Sequence, residues 1–129
     1  MLINSVILMD VRFKMAHFYD SWDSIGEVIK EDERYKVLDN TQLDHLVVST
    51  TVLQGHQNTT GHRHRGQEEV YIFILGSGKM EIEQNGKTST EKIHAGSVVL
   101  IEDNDFHKVY NTEKGSLEFI CVFEGKRTH

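Results

Sequence analysis

The stretch Gly61–Gly78, GHRHRGQEEVYIFILGSG, decides how this chain is read. It sets His62 and His64 one residue apart, follows them with Glu68 and Glu69, and then runs through VYIFIL (Val70–Leu75) to the pair Gly76 and Gly78. In an extended segment residues i and i+2 point the same way, so both imidazoles can meet one ion. The pair alone is weak evidence: with eight histidines in 129 residues, roughly half an H-x-H is expected by chance. Its surroundings add weight. Glu69 stands at the entrance to the apolar run, where a turn through Arg65-Gly66-Gln67 would bring it back beside the histidines. Further on, GSVVLIEDNDFHKVYN (Gly96–Asn111) puts His107 just past another apolar run and a polar turn. Three imidazoles and one carboxylate make a mixed nitrogen and oxygen set suited to a divalent first-row metal. The absence of a thiolate argues against a closed structural zinc site.

Outward from this stretch the chain reads as short strands. VYIFIL is continuously apolar, which suits a strand buried on both faces. HLVVSTTVL (His45–Leu53) is rich in β-branched residues, which favour a pleated, half-buried surface. KMEIEQ (Lys79–Gln84) alternates apolar and acidic residues, and Asn85-Gly86 supplies a two-residue hairpin turn into KTSTEKI. SVVLI (Ser97–Ile101), HKVY (His107–Tyr110) and LEFICVF (Leu117–Phe123) complete the set. Proline is absent, so glycine and asparagine must punctuate the turns. Many short strands with such turns point to a β-sandwich or barrel. One segment reads differently. SWDSIGEVIKEDERY (Ser21–Tyr35) offers a capping box at Ser24 and Glu27 and sets Ile25, Val28 and Ile29 on one helical face, so a short helix is expected there.

Composition bounds the rest. The length suits one domain with a real core. The net charge is −6 with lysine and arginine scattered, which argues against nucleic acid, whose phosphates call for clustered cations. No apolar run approaches the roughly 20 residues of a membrane span. MLINSVILMDVRF (Met1–Phe13) has no basic start and no small-residue cleavage site, so a strand is expected rather than a signal peptide. The single cysteine, Cys121, lies within LEFICVF and is expected as a core thiol in a cytoplasmic, reducing setting.

The two histidine-bearing stretches resemble the paired motifs of the cupin superfamily. The first motif runs G-x5-H-x-H-x3or4-E-x6-G, and His62, His64, Glu69 and Gly76 fit it through its four-residue option. The leading glycine is off by one: Gly55 stands one place early, and His56 occupies the expected position. The second motif runs G-x5-P-x-G-x2-H-x3-N, and Gly96, His107 and Asn111 fit it. Glu102 stands where the proline belongs and Asn104 where the second glycine belongs; asparagine tolerates the positive φ of such a turn. The resemblance implies an all-β fold, a double-stranded β-helix or jelly-roll cupin barrel over residues 41–129; residues 1–40, read above as an N-terminal strand and one short helix, are expected to belong to the same domain. It implies that His62, His64, Glu69 and His107 bind one divalent transition metal per chain, drawn from Mn, Fe, Co, Ni, Zn or Cu. Glu68 is the rival carboxylate, because the family also allows three intervening residues; counting back from Gly76 selects Glu69.

The remaining polar residues are read more plainly. His56, Tyr71 and Glu102 are weak candidates for acid–base catalysis. His45 and His94 read as surface or turn residues, and His17 and His129 lie near the chain ends. Arg63 and Arg65 alternate with the ligands and should point away from the ion. Phe73, Tyr71, Phe119 and Phe123 read as core and pocket lining. The resemblance then implies a metal-dependent monocupin acting on a small polar metabolite, a sugar or sugar acid, by isomerase, epimerase or lyase chemistry; the motif region is similar to that of cupin-type sugar phosphate isomerases. The alternatives are an iron- or nickel-dependent dioxygenase and a non-catalytic small-molecule binding or sensing module. A homodimer is expected, with SVILM (Ser5–Met9) adding to the sheet of a second subunit.

Overall fold

The computed structural model describes residues 17–125. Among them nine strands form two antiparallel sheets, and no helix occurs. The strands are β1 (Glu27–Glu31), β2 (Tyr35–Asp39), β3 (Leu46–Leu53), β4 (Glu69–Leu75), β5 (Ser77–Gln84), β6 (Lys87–His94), β7 (Val98–Ile101), β8 (Phe106–Asn111) and β9 (Leu117–Glu124). The larger sheet has the order β1-β2-β3-β9-β4-β7, and the smaller has the order β6-β5-β8. Two isolated bridges, Asn58 to Tyr110 and His62 to His107, lay the connection after β3 along the free side of β8. The result is the expected jelly-roll, in which β9 is inserted between β3 and β4.

Strand alternation builds the core. Val47, Phe123 and Glu69 oppose one another across β3, β9 and β4, as do Ser49, Cys121 and Tyr71, and Thr51, Phe119 and Phe73. Directly opposed residues share a face, so these three rows line the inside of the larger sheet, and all nine side chains are buried. Leu53 and Leu117 close one end at 0% exposure. β4 is less enclosed than its continuous apolar run suggests: Tyr71 and Phe73 are buried, whereas Val70, Ile72 and Ile74 are only half-buried. Its outward residues stand beside Val98 and Leu100 of the edge strand β7, which are exposed. Asn85 and Gly86 adopt φ of 51° and 79°, the paired positive values that the β5–β6 hairpin turn requires.

The helix expected over Ser21–Tyr35 is corrected by the structure. Its C-terminal half is β1, which turns through residues 32–34 into β2. Gly26 has φ of +61°, and a Cβ there would lie 1.7 Å from the Asp39 carbonyl oxygen. The chain therefore breaks out of helical conformation at Gly26 and packs its backbone against β2. The apolar triplet fits helical spacing only by coincidence: Val28 and Ile29 are exposed, and Ile25 is partly buried. The N-terminal strand expected at Ser5–Met9 lies outside the described residues. No helix among them is long and apolar enough to cross a membrane.

Candidate metal centre

His62 and His107 are held together by their backbones. The His62 N–H donates to the His107 carbonyl at 3.1 Å, and the His107 N–H donates back to the His62 carbonyl at 2.9 Å. Gly61 lets this pair close up: a Cβ there would stand 2.2 Å from Cζ of Phe106, so the Phe106 ring lies directly over the glycine preceding His62. The next turn fixes His64, whose carbonyl accepts from the Asn104 N–H at 3.0 Å. Asn104 has φ of 66°, the turn conformation expected of it. The Gly66 N–H, one turn further, donates to the Asp103 carboxylate. Glu69 enters as the first residue of β4, opposite Ile101 of β7 and Phe123 of β9.

These elements bring four side chains to one point. One ligand atom from each of His62, His64, Glu69 and His107 falls within 4.8 Å of the others. The Glu69 Oε2 lies 3.5 Å from His64 Nε2 and 3.9 Å from His107 Nε2. Glu69 and His107 are each 2% exposed, while His62 and His64 are half-buried. His107 Nδ1 lies 3.0 Å from the Asp105 carbonyl oxygen. A carbonyl can only accept, so Nδ1 carries the proton and Nε2 presents its lone pair toward the cluster. Donors about 2.1 Å from a shared first-row ion stand about 3.0 to 4.2 Å apart, so the observed spread closes with side-chain shifts of a few tenths of an ångström. The donor set fits such an ion, and this cluster could hold one. Glu68, the rival carboxylate, is exposed and does not join it.

A cavity of about 400 Å³ opens beside His62 and His64. Tyr71 and Phe119 form one wall, their rings stacked at 5.4 Å, and Tyr71 also sits edge-on to His107 at 5.5 Å. Ser49, Thr51, Thr59 and Tyr35 add hydroxyls, and Cys121, buried in the core as expected, also faces the cavity. A larger cavity, of about 560 Å³, lies between β5–β6 and β7 and includes none of the cluster.

Of the three weak catalytic candidates only Tyr71 is brought to the site. His56 is exposed in the turn after β3, bonded through its N–H to the Glu113 carbonyl at 3.0 Å. That is about six residues along the ladder from His107, roughly 20 Å. Its φ of 59° shows that it supplies the left-handed conformation otherwise given by glycine. Glu102 is exposed, and its N–H donates to Asp105 Oδ2 at 3.0 Å, a bond that a proline could not make. Asn111 serves structure: its amide nitrogen lies 3.1, 3.0 and 2.8 Å from the carbonyls of Leu53, Gln54 and Gly115. Arg63, expected to point away from the ion, lines the same cavity as His62 and His64, with its guanidinium 3.3 Å from Glu83, while Arg65, His17, His45 and His94 are exposed. Sequence reasoning missed Lys30 and Tyr35, which line the cavity from the hairpin taken for a helix.

The family model described as the cupin domain matches residues 49–123, more than half of the chain and the whole of the cluster. The chain belongs to the cupin family. This cupin is 36% identical over 61 residues to an oxalate-binding protein of Thermotoga maritima, spanning 47% of each chain. It thus covers about half the length of that curated relative. Among solved structures, an oxalate decarboxylase of Lactobacillus farciminis in complex with formate superposes with a TM-score of 0.70 at 22% identity, over 74% of this cupin and 30% of that chain. A Bacillus subtilis oxalate decarboxylase described for its Mn(II) centres gives 0.68 at 19% identity, over 80% and 29%. At these identities the structural likeness establishes the fold alone.

Proposed function

We propose that this cupin binds one divalent first-row metal, manganese being the first candidate, and through it a small carboxylate-bearing metabolite. The observation that carries the reading is the convergence of His62, His64, Glu69 and His107 on one point at the wall of a cavity of about 400 Å³. That volume lies at the small end of ligand pockets. The names of the relatives support an acid over a neutral sugar, and the hydroxyls of Tyr35, Ser49, Thr51 and Thr59 leave room for a hydroxylated acid such as a sugar acid. A metal bound here would polarise a coordinated carboxylate or hydroxyl oxygen. Tyr71, edge-on to His107, is the chain's own candidate for moving a proton in isomerase or lyase chemistry. A dioxygenase would start from the same bound acid and would differ by consuming oxygen.

The test begins with composition. Purified protein should carry about one metal per chain by elemental analysis, and His64→Ala should abolish it. Metal-loaded protein should then gain thermal stability with small carboxylates, through binding to the native state. A full metal complement in the His64→Ala variant would overturn the assignment of the centre, and neutral sugars stabilising in place of acids would overturn the ligand class.

A further inference from the structure

β1 does not run in even register with β2. Val28 opposes Leu38, yet Lys30, two residues on, opposes Val37, one residue back. The extra residue is a β-bulge. In an unbroken ladder Ile29 would oppose Val37, and Lys30 would oppose Lys36, a like-charge pair. The bulge exchanges these positions, setting Glu31 opposite Lys36 as an opposite-charge pair and Lys30 opposite the buried Val37. Opposed residues share a face, so Lys30 is turned inward. It lines the cavity that holds His62 and His64, with Nζ 5.2 Å from the centre of the Tyr35 ring.

A second cation flanks the same ring. The Arg34 guanidinium lies 4.7 Å from its centre, but Arg34 is committed to Asp32 at 2.9 Å and to the Thr60 hydroxyl at 3.0 Å. Among the described residues Lys30 makes no ion pair. In a chain of net charge −6, a local irregularity of the edge strand thus places in the cavity wall an ammonium that rests on the Tyr35 ring and makes no ion pair among the described residues. Bulges beside functional sites commonly re-aim one side chain in this way.

We propose that Lys30 is a specificity-determining residue: it binds the second anionic group of a small diacid whose first carboxylate is held at the His62–His64–Glu69–His107 centre. This rests on the metal-centre reading above and extends it from carboxylates in general to dicarboxylates. Lys30 comes from a hairpin separate from every residue of the cluster, so it is free to read the far end of a ligand without disturbing the near end.

The experiment is calorimetric titration of Mn(II)-loaded wild type, Lys30→Met and Lys30→Arg with formate, oxalate, malonate, succinate and glutarate, alongside elemental analysis of each protein. Metal content should be the same in all three. Lys30→Met should bind the preferred diacid about 10- to 100-fold more weakly, bind formate as wild type does, and have its diacid affinity largely restored in Lys30→Arg. Equal diacid affinity in wild type and Lys30→Met, with metal retained, overturns the role of Lys30 alone. A loss that falls equally on formate overturns it too, because Lys30 would then act only on the shared first carboxylate. Wild type that takes up no metal, or binds no carboxylate when loaded, overturns the metal-centre reading and this proposal together.

Discussion

Two halves of the candidate centre are built differently. Glu69 and His107 stand on β4 and β8, inside hydrogen-bonded ladders, each 2% exposed. His62 and His64 stand on the irregular connection after β3, tied down by one reciprocal backbone pair and one turn contact, and half-buried. The ladder residues belong to the fold as much as to the site, whereas the connection residues serve the site with little share in the fold. Replacing either kind should therefore remove a metal, but only one kind should also weaken the protein that carries none.

The largest effect is expected at His107. His107→Ala vacates a buried volume and discards the Nδ1–H bond to Asp105, so chelator-treated protein should lose about 3 kcal/mol in urea unfolding. His64→Ala removes a more exposed imidazole that lies 3.5 Å from the buried Glu69 carboxylate, and should cost chelator-treated protein less, about 1 kcal/mol. Equal losses from the two substitutions would erase the distinction.

An intermediate effect should come from Gly61, where the two halves touch. Gly61→Ala sets a methyl against the Phe106 ring, and the ring must swing aside. The expected cost is about 1–2 kcal/mol of stability, with metal affinity falling about tenfold as His62 shifts from its partners. Calorimetric metal titration reads the second effect. Unchanged affinity would show that the connection follows the ring without loss of geometry.

The smallest effect is expected at the β1–β2 turn, which belongs to neither half. The Arg34 guanidinium bonded to Asp32 holds its carboxyl below the ordinary carboxylate value of 3.8. A folded-state pKa below the unfolded one contributes stability above the unfolded value, lost as pH falls through the folded value. Asp32→Asn should therefore lower stability slightly at neutral pH, and the difference from wild type should close as pH falls below about pH 4, both effects being small because exposed pairs are screened. An acid limb identical to that of wild type would remove this role from Asp32.

The candidate ligand positions were legible because both motifs of the resemblance are local. His62, His64 and Glu69 share one short stretch, and the family's second motif sets His107 at a fixed step after Gly96; the structure brings all four together. Counting back from Gly76 selected Glu69 over its neighbour Glu68, and the register supplies the physical reason: only Glu69 faces inward from β4. The β1–β2 hairpin was not legible. Ile25, Val28 and Ile29 match a helical face, and nothing local announces that Gly26 must press against the carbonyl of Asp39. Lys30 was hidden for a related reason. Its inward direction comes from a slip against β2, and a slip is a property of two strands that one cannot display by itself. Cys121 was expected in the core and is there; that it also faces the cavity follows from its place opposite Tyr71 and Ser49, which only the sheet order reveals.

The insertion of β9 between β3 and β4 has a consequence for the timing of assembly. As the chain emerges during synthesis, β3 and β4 cannot become neighbours through their own pairing, because the place between them is reserved for residues 117–124. Until those residues are made, the strand bearing Glu69 has no partner on that side, and the six-stranded wall cannot close. Contacts across such distances in sequence form slowly, and they leave strand edges open to other chains in the meantime. Without residues 117–124 the larger sheet is two unjoined ribbons, β1-β2-β3 and β4-β7, so the wall that carries Glu69 is complete only once the last described strand lies in its slot.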